Sequence, residues 1–316
     1  MSPQKKLTFE EKILKSLSPL NTKKVIVACS GWPDSMVLLE MLRHFYWKNF
    51  INSARVAHIH HGLRESAERD QKIVEHYCEK YNLIYECLRT NIREKSKKTK
   101  TTIEECARNI RKEWLEEIRE KHHADYILTA HHADDQAETL LYRITKWTSI
   151  TGLVGIERLS WYYFRPLLEV SKKEILEYAQ NNNLPYGVDE TNKDTTIPRN
   201  LLRHEVLPCL QTINSEAGKA LERLSESAKE LQEGFNIFFA ENITKKEFDY
   251  DWYQSLPIGF QHELLRCFYE LANGSTHGFS RALLTELDRF LSTRTGGKKE
   301  LWKKWLIKKQ GTVYLT

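Results

Sequence analysis

The sequence predicts an α/β protein: a parallel sheet with helices on both faces, followed by a smaller, mostly helical α+β part. Three observations predict it. Short apolar, β-branched runs alternate with stretches of helical periodicity, the pattern of strands joined by crossover helices. That alternation stops after Pro208. The chain has 316 residues, 41% apolar and 29% charged, enough for about two domains with their own cores.

Taken in order, Val25–Cys29 (VIVAC) is a short apolar run and predicts a buried strand. Leu38, Met41, Leu42 and Phe45 then recur at helical spacing. Arg55–Ile59 reads as a second strand, about 65–81 as a helix, and 83–88 as a third strand. Thr102 and Glu105 fit a capping box opening a long helix to about Lys121. Asp125–Thr129 reads as the fourth strand and Asp134–Lys146 as another helix. Beyond Pro208, residues 214–240 read as one long helix with Leu221, Leu224, Ala228 and Leu231 on one side. Helical stretches near 257–272 and 279–291 follow, then a β-like end, 311–316. The expected domains are 1–213 and 214–316, with 214–240 as a linker helix.

The N-terminus mixes charges and has no apolar h-region, and no run approaches the ~18 apolar residues of a membrane span. A cytoplasmic protein with no membrane partner is expected. The net charge of +5 is modest, but cations cluster in a Lys-rich loop at 93–100 and again between Arg294 and Lys309. Such clusters suit phosphate backbones, although a solvated edge accounts for them equally well. The six cysteines form no C-x-x-C pair, and the clustered histidines (58, 60, 61; 122, 123; 131, 132) lack zinc spacing.

Ser30, Gly31, Trp32, Pro33, Asp34 and Ser35 lie directly after the first strand and open the first helix. A turn there aims backbone N–H groups and the positive end of the helix dipole at one spot, which favours a bound anion. The Ser30 and Ser35 hydroxyls can add donors, and Pro33 suits a first helical turn. Neither G-x-x-x-x-G-K-[ST] nor G-x-G-x-x-G is present. A plain capped turn is the alternative reading.

S-G-x-x-D-S after a first parallel strand resembles the pyrophosphate loop (PP-loop) of the ATP pyrophosphatases that adenylate carbonyl groups. Those enzymes usually carry Gly-Gly after the Ser, where this chain has Gly31-Trp32. Four further stretches resemble the tRNA(Ile)-lysidine synthases, in the same order: His58–Arg64 (HIHHGLR), Ala107–Arg111 (ARNIR), Ala130–Thr139 (AHHADDQAET), and Arg165–Leu168 followed by Asp189–Asn192 and Arg199–Arg203. Together with the loop they span about residues 24–208. The C-terminal third resembles the short-form synthases only in length and in its basic end.

The resemblance implies a Rossmann-like, adenine nucleotide alpha hydrolase-like sheet. It implies a ligase that adenylates the wobble cytidine of the CAU anticodon of tRNA-Ile with ATP, then joins free L-lysine to C2, giving lysidine, AMP and diphosphate. It places ATP at Ser30–Ser35 and at Ala57, His58 and His60, with Mg2+ on Asp34. Asp135 and Glu138 would hold the ammonium groups of lysine, and Asp135 or His131 would take its proton. Arg108 and Arg111 (i,i+3) and Arg199 and Arg203 (i,i+4) would meet the α-phosphate or the tRNA, without distinction within a pair. Asn200, Lys298, Lys299, Lys303 and Lys304 would join them on tRNA, and a homodimer is suggested. Rival readings are a 2-thiocytidine-type tRNA thiolase, which the scattered cysteines disfavour, an amidotransferase-type synthetase, and a non-catalytic nucleotide- or tRNA-binding module.

Overall fold

The computed structural model describes residues 8–47, 53–62, 66–146, 149–188, 195–243, 246–274, 278–293, 296–301 and 304–316. Lys303, the Asp189–Asn192 stretch, Leu63, Arg64 and Arg294 lie outside the described residues. The chain divides into two compact units, 1–142 with 155–222, and 143–154 with 223–316.

The first unit is built on a six-stranded sheet in the order β3-β2-β1-β4-β6-β5. Its strands are β1 (Lys24–Ala28), β2 (Ser53–His60), β3 (Ile84–Arg89), β4 (Tyr126–Leu128), β5 (Leu159–Ser160) and β6 (Tyr163–Phe164). All neighbours are parallel except the β5–β6 hairpin. Side chains alternate across the sheet: Val25, Val27 and Val56 face one core, Ile26, Ala57 and Ile127 the other. Helices α1 (Phe9–Leu17), α2 (Pro33–Trp47), α3 (Ser66–Lys80) and α7 (Lys172–Asn181) close the first face. The second is closed by α5 (Ile103–Lys121) through Leu115 and Ile118. Leu38, Met41, Leu42 and Phe45 are all buried, as their spacing predicts.

The strand order fixes where a site can form. The chain leaves β1 toward β2 and β3, then returns through α5 to lay β4 on the other side of β1. That reversal opens a crevice beyond the carboxyl ends of β1 and β4, where ligands bind in open α/β sheets. The β1–α2 bend and the start of α6 (Ala133–Thr145) meet there.

Two sequence expectations are corrected. The Lys-rich loop is a helix, α4 (Ile92–Thr99): Asn91 caps it by accepting from the Glu94 N–H, and Ile92 and Ser96 are buried beneath its cationic surface. In α10 (Ala217–Asn242), Leu224 and Leu231 are exposed, while Ser225, Ala228 and Phe239 are buried.

The second unit pairs an antiparallel sheet with helices. The sheet order is β7-β10-β9-β8, with β7 Glu247–Asp249, β8 Gly297–Leu301, β9 Lys304–Lys309 and β10 Thr312–Leu315. Phe248 packs edge-on against Phe268, and Leu264, Leu287, Leu306 and Val313 complete the core with α11 (Tyr250–Ser255), α12 (Ile258–Asn273) and α13 (Arg281–Leu291). The segment 143–154 belongs here because Thr151 donates to Glu263 (2.9 Å) and Ser225 to the Val154 carbonyl (2.5 Å). Lys308, counted in the basic cluster, is buried: its ammonium donates to the Leu291 and Thr293 carbonyls at the end of α13. No helix of the described residues is long and apolar enough to cross a membrane.

Candidate functional site

The β1–α2 bend is held by short-range contacts. Gly31 has φ +87°, and a Cβ there would lie 2.8 Å from the Asp70 carbonyl, so glycine is required. The Ser35 hydroxyl donates to the Trp32 carbonyl (3.0 Å), accepts from the Ser30 N–H (3.1 Å) and meets the Ser30 hydroxyl (3.0 Å). Both hydroxyls are thus engaged within the loop, and the first-turn N–H groups of α2 remain the donors for an incoming anion. Pro33 begins the helix. The indole of Trp32 is turned to α3, where Nε1 donates to Asp70 Oδ2 (3.3 Å). A bulky residue is accommodated where the resembling enzymes have glycine because Asp70 gives its indole a partner.

A second group of side chains faces this bend from the ends of β4 and α6. Both oxygens of Asp34 accept from the Lys172 ammonium (2.6 and 2.7 Å). Buried His132 lies among three carboxylates: Nε2 is 3.8 Å from Asp34 and 3.5 Å from Asp135, and Nδ1 is 3.5 Å from Asp134. The Asp134 carboxylate also accepts from the Lys172 backbone N–H (2.6 Å), at the start of α7. Burial alone would push His132 down, but Asp134, Asp135 and Asp34 outweigh it and hold the imidazole above its ordinary value. One turn along α6, Glu138 is almost fully buried and pushed up by that burial, against the pull of Arg203. The Arg203 guanidinium grips Glu138 at two points (2.6 and 3.1 Å) and lies 3.5 Å from Asp135.

A third group is cationic. Burial brings His131 down to about 4, opposed by Asp135 and reinforced by Arg165, Arg111 and His132, so the ring is neutral at pH 7. Its Nδ1 meets the Thr129 hydroxyl (2.9 Å). Arg111 on α5 is held below its ordinary value by desolvation of its guanidinium and by the charges of Arg108 and Arg199, although much of its surface still faces water. Arg165 donates to the Glu157 carbonyl (2.6 Å), while its buried Nε has no hydrogen-bond partner. Such a cluster suits an anion whose charge is spread over several oxygens.

The structure therefore brings Asp34, His131, Asp135 and Glu138 together beyond the carboxyl ends of β1 and β4, and sets Arg111 in the field of Arg108 and Arg199. Ala57 and His58 are buried in β2, with His58 Nδ1 on the Cys29 carbonyl (2.9 Å); burial lowers that ring's pKa. His60, at the end of β2, lies 3.4 Å from Glu68. Asn200 is buried in α8 (Pro198–Leu201), and Arg203 sits on the π-helical turn Leu202–Val206 that follows. Lys298, Lys299 and Lys304 are in the second unit: Lys298 lies over the Trp305 ring and Lys299 pairs with Glu286. Sequence reasoning missed Lys172, His132, Arg165 and Asp70. Only Arg165 and His132 carried a signal, through their places in family-like stretches.

Among the described residues, no three His, Cys, Asp or Glu side chains are arranged to hold a metal by themselves. One carboxylate beside an anion-ready bend fits a Mg2+ that arrives on phosphates, which keeps its waters and takes one or two protein oxygens. It does not fit a resident, all-protein metal centre.

A family model described as a PP-loop domain matches residues 5–210. A tRNA(Ile)-lysidine synthase of Staphylococcus aureus is 30% identical over 302 residues, 90% of this chain and 68% of that protein. That of Bacillus subtilis is 35% identical over 230 residues, 71% of this chain and 47% of that protein. The bifunctional protein TilS/HprT of Listeria innocua is 36% identical over 232 residues, 71% of this chain and 35% of that protein. The chain thus matches only about a third to a half of the length of several relatives. The U34-tRNA thiolase NcsA from Methanococcus maripaludis, solved with its 4Fe–4S cluster, shares the fold at a TM-score of 0.58 and 19% identity, over 69% of this chain and 77% of that one.

The raised His132 value has a consequence for stability. Its folded value exceeds the unfolded value of about 6.5, so its contribution is fully present below that pH and is lost as pH rises through the folded value. Chemical denaturation of wild type and His132→Gln should therefore show a larger difference at pH 6 than at pH 9. An equal difference at both pH values would contradict a charged His132.

Proposed function

The chain belongs to the PP-loop family and, within it, to the tRNA(Ile)-lysidine synthases, and on that premise we propose that it ligates L-lysine to the wobble cytidine of the CAU anticodon of tRNA-Ile. The observation that carries this reading is the span of His132, whose one imidazole reaches both Asp34 of the anion-ready bend and Asp135 of the acid pair. A reaction that joins a nucleotide-activated carbonyl to an amine needs those two subsites side by side.

In the first step the C2 carbonyl oxygen of the cytidine attacks the α-phosphorus of ATP, and diphosphate leaves. The loop N–H groups would hold the phosphates, and Arg108, Arg111 and Arg165 would spread the charge that builds on the transferring group. Asp34 would hold the Mg2+ that comes with ATP, an ion that neutralises phosphate charge. Adenylation is needed because a ring carbonyl oxygen leaves poorly, whereas AMP leaves readily. In the second step the lysine ε-amine attacks C2, the C–O bond to AMP breaks, and a proton leaves the nitrogen. Asp135 or His131 would take that proton. Glu138 and Asp135 would anchor the amino acid, as the buried Glu138 carboxylate requires a cation. The basic strands β8 and β9 would grip the tRNA backbone, positioning it without choosing it.

The cysteines support the ligase over a thiolase: Cys29, Cys78 and Cys106 are buried in the core of the first unit, with Cys87 half-buried and Cys209 exposed there, and Cys267 lies in the second. Burial raises the thiols of Cys29 (to about 11) and Cys78 (to about 12), which makes them poor sulfur carriers.

Three experiments test the proposal. Pyrophosphate release from ATP should require tRNA, and labelled lysine should enter the tRNA. Asp135→Asn should lower lysine transfer by about 100-fold or more while ATP still binds. Sulfur entering the tRNA, or full activity of that variant, contradicts the assignment. Alanine at Lys298, Lys299, Lys303 and Lys304 should weaken tRNA binding and reduce its salt slope by about one for each phosphate no longer neutralised, with ATP affinity unchanged. An unaltered slope removes the basic strands from the interface.

A further inference from the structure

The acid pair assigned above to the substrate amine already holds a cation, supplied by the chain itself. Arg203 covers both oxygens of Glu138 and reaches Asp135. Glu138 is only 2% exposed, so without a cation its charge would be desolvated and unpaired. The Arg203 side chain, by contrast, is about one-third exposed and can leave without unpacking the core. It projects from a π-helical turn, Leu202–Val206, a backbone irregularity common at functional sites. The guanidinium also lies in the field of Asp34, the acid of the phosphate-accepting bend. It therefore stands between two anionic partners, the carboxylates it now holds and the phosphates that would arrive beside Asp34.

We propose that Arg203 is a placeholder in the amine subsite, holding Asp135 and Glu138 until nucleotide phosphates draw it away, so that L-lysine is admitted only after ATP. The exchange conserves charge at every carboxylate: an ammonium replaces a guanidinium on Glu138 and Asp135, and the guanidinium moves to a phosphate. No buried anion is left uncovered at either end of the exchange. Two carboxylates also disfavour neutral amino acids, whose single α-ammonium could cover Glu138 or Asp135 but not both. The proposal rests on the ligase reading, because that reading makes the acid pair a lysine site.

Binding of L-lysine to the full chain, measured by calorimetry with and without a non-hydrolysable ATP analogue and Mg2+, tests it. In wild type the analogue should tighten lysine binding by about tenfold or more. In Arg203→Gln, lysine should bind without nucleotide more tightly than it does to wild type, and the analogue should add less than about threefold. A purely structural role for Arg203 would instead weaken lysine binding in both conditions. Arg203→Lys, which keeps a cation on Glu138 and guards against misfolding, should retain the dependence on nucleotide. Lysine bound by wild type equally well with and without the analogue, or a dependence undiminished in Arg203→Gln, overturns the placeholder alone. Lysine bound by none of the three proteins in either condition overturns the ligase reading and the placeholder with it.

Discussion

The backbone of Gly31 lies so near the Asp70 carbonyl that a single added carbon would be 2.8 Å from the oxygen, and its φ of +87° is one that side chains rarely accept. Much of the site depends on this close approach. It lets the chain turn from β1 into α2 in four residues, and the two loop serines close on each other across the turn. It delivers Asp34 to the first turn of α2, facing Lys172 and His132. It also brings the Gly31 carbonyl to the Gly187 N–H (2.9 Å), which ties the bend to the segment beyond α7. A tight bend leaves the helix N–H groups free of intrahelical partners, an arrangement that stabilises a phosphate without a charged side chain.

Charge compensation is the second constraint. Asp34, Asp134, Asp135 and Glu138 converge within a few ångströms, and such a group of acids is tolerable only with cations among them. Lys172, His132 and Arg203 supply these, so the resting site holds internal counterions at the positions where substrate charges would enter. The neighbouring cluster of Arg108, Arg111, Arg165 and Arg199 shows the opposite imbalance. Desolvation and the charges of Arg108 and Arg199 hold Arg111 below its ordinary value, an imbalance that an incoming anion would relieve.

Much of the fold was legible in the sequence, because buried parallel strands and the helices covering them carry strong periodic signals. Strand order was not, since the pairing of β1 with β4 joins residues about a hundred positions apart, as in Val25 with Tyr126. Helix α4 read as a loop because five cations mask the two inward residues, Ile92 and Ser96, that hold it down. Strands β7, β8 and β9 were missed because two of them are Lys-rich and one is only three residues long. In the site, the motif residues were visible and their counterions were not. Lys172 looks like any lysine at the start of a helix, and nothing in His131-His132 says which ring faces the acids and which the arginines. Trp32 stood out as a departure, but its partner Asp70 lies 38 residues away on another helix.

On the proposed reading, the bend between β1 and α2 cradles the phosphates of ATP despite the indole in it. A crystal structure with a non-hydrolysable ATP analogue tests this most directly. The β- and γ-phosphates should lie over the N–H groups that follow Trp32, with the indole still on Asp70. An indole folded into the bend, with the nucleotide absent or bound elsewhere, would contradict it.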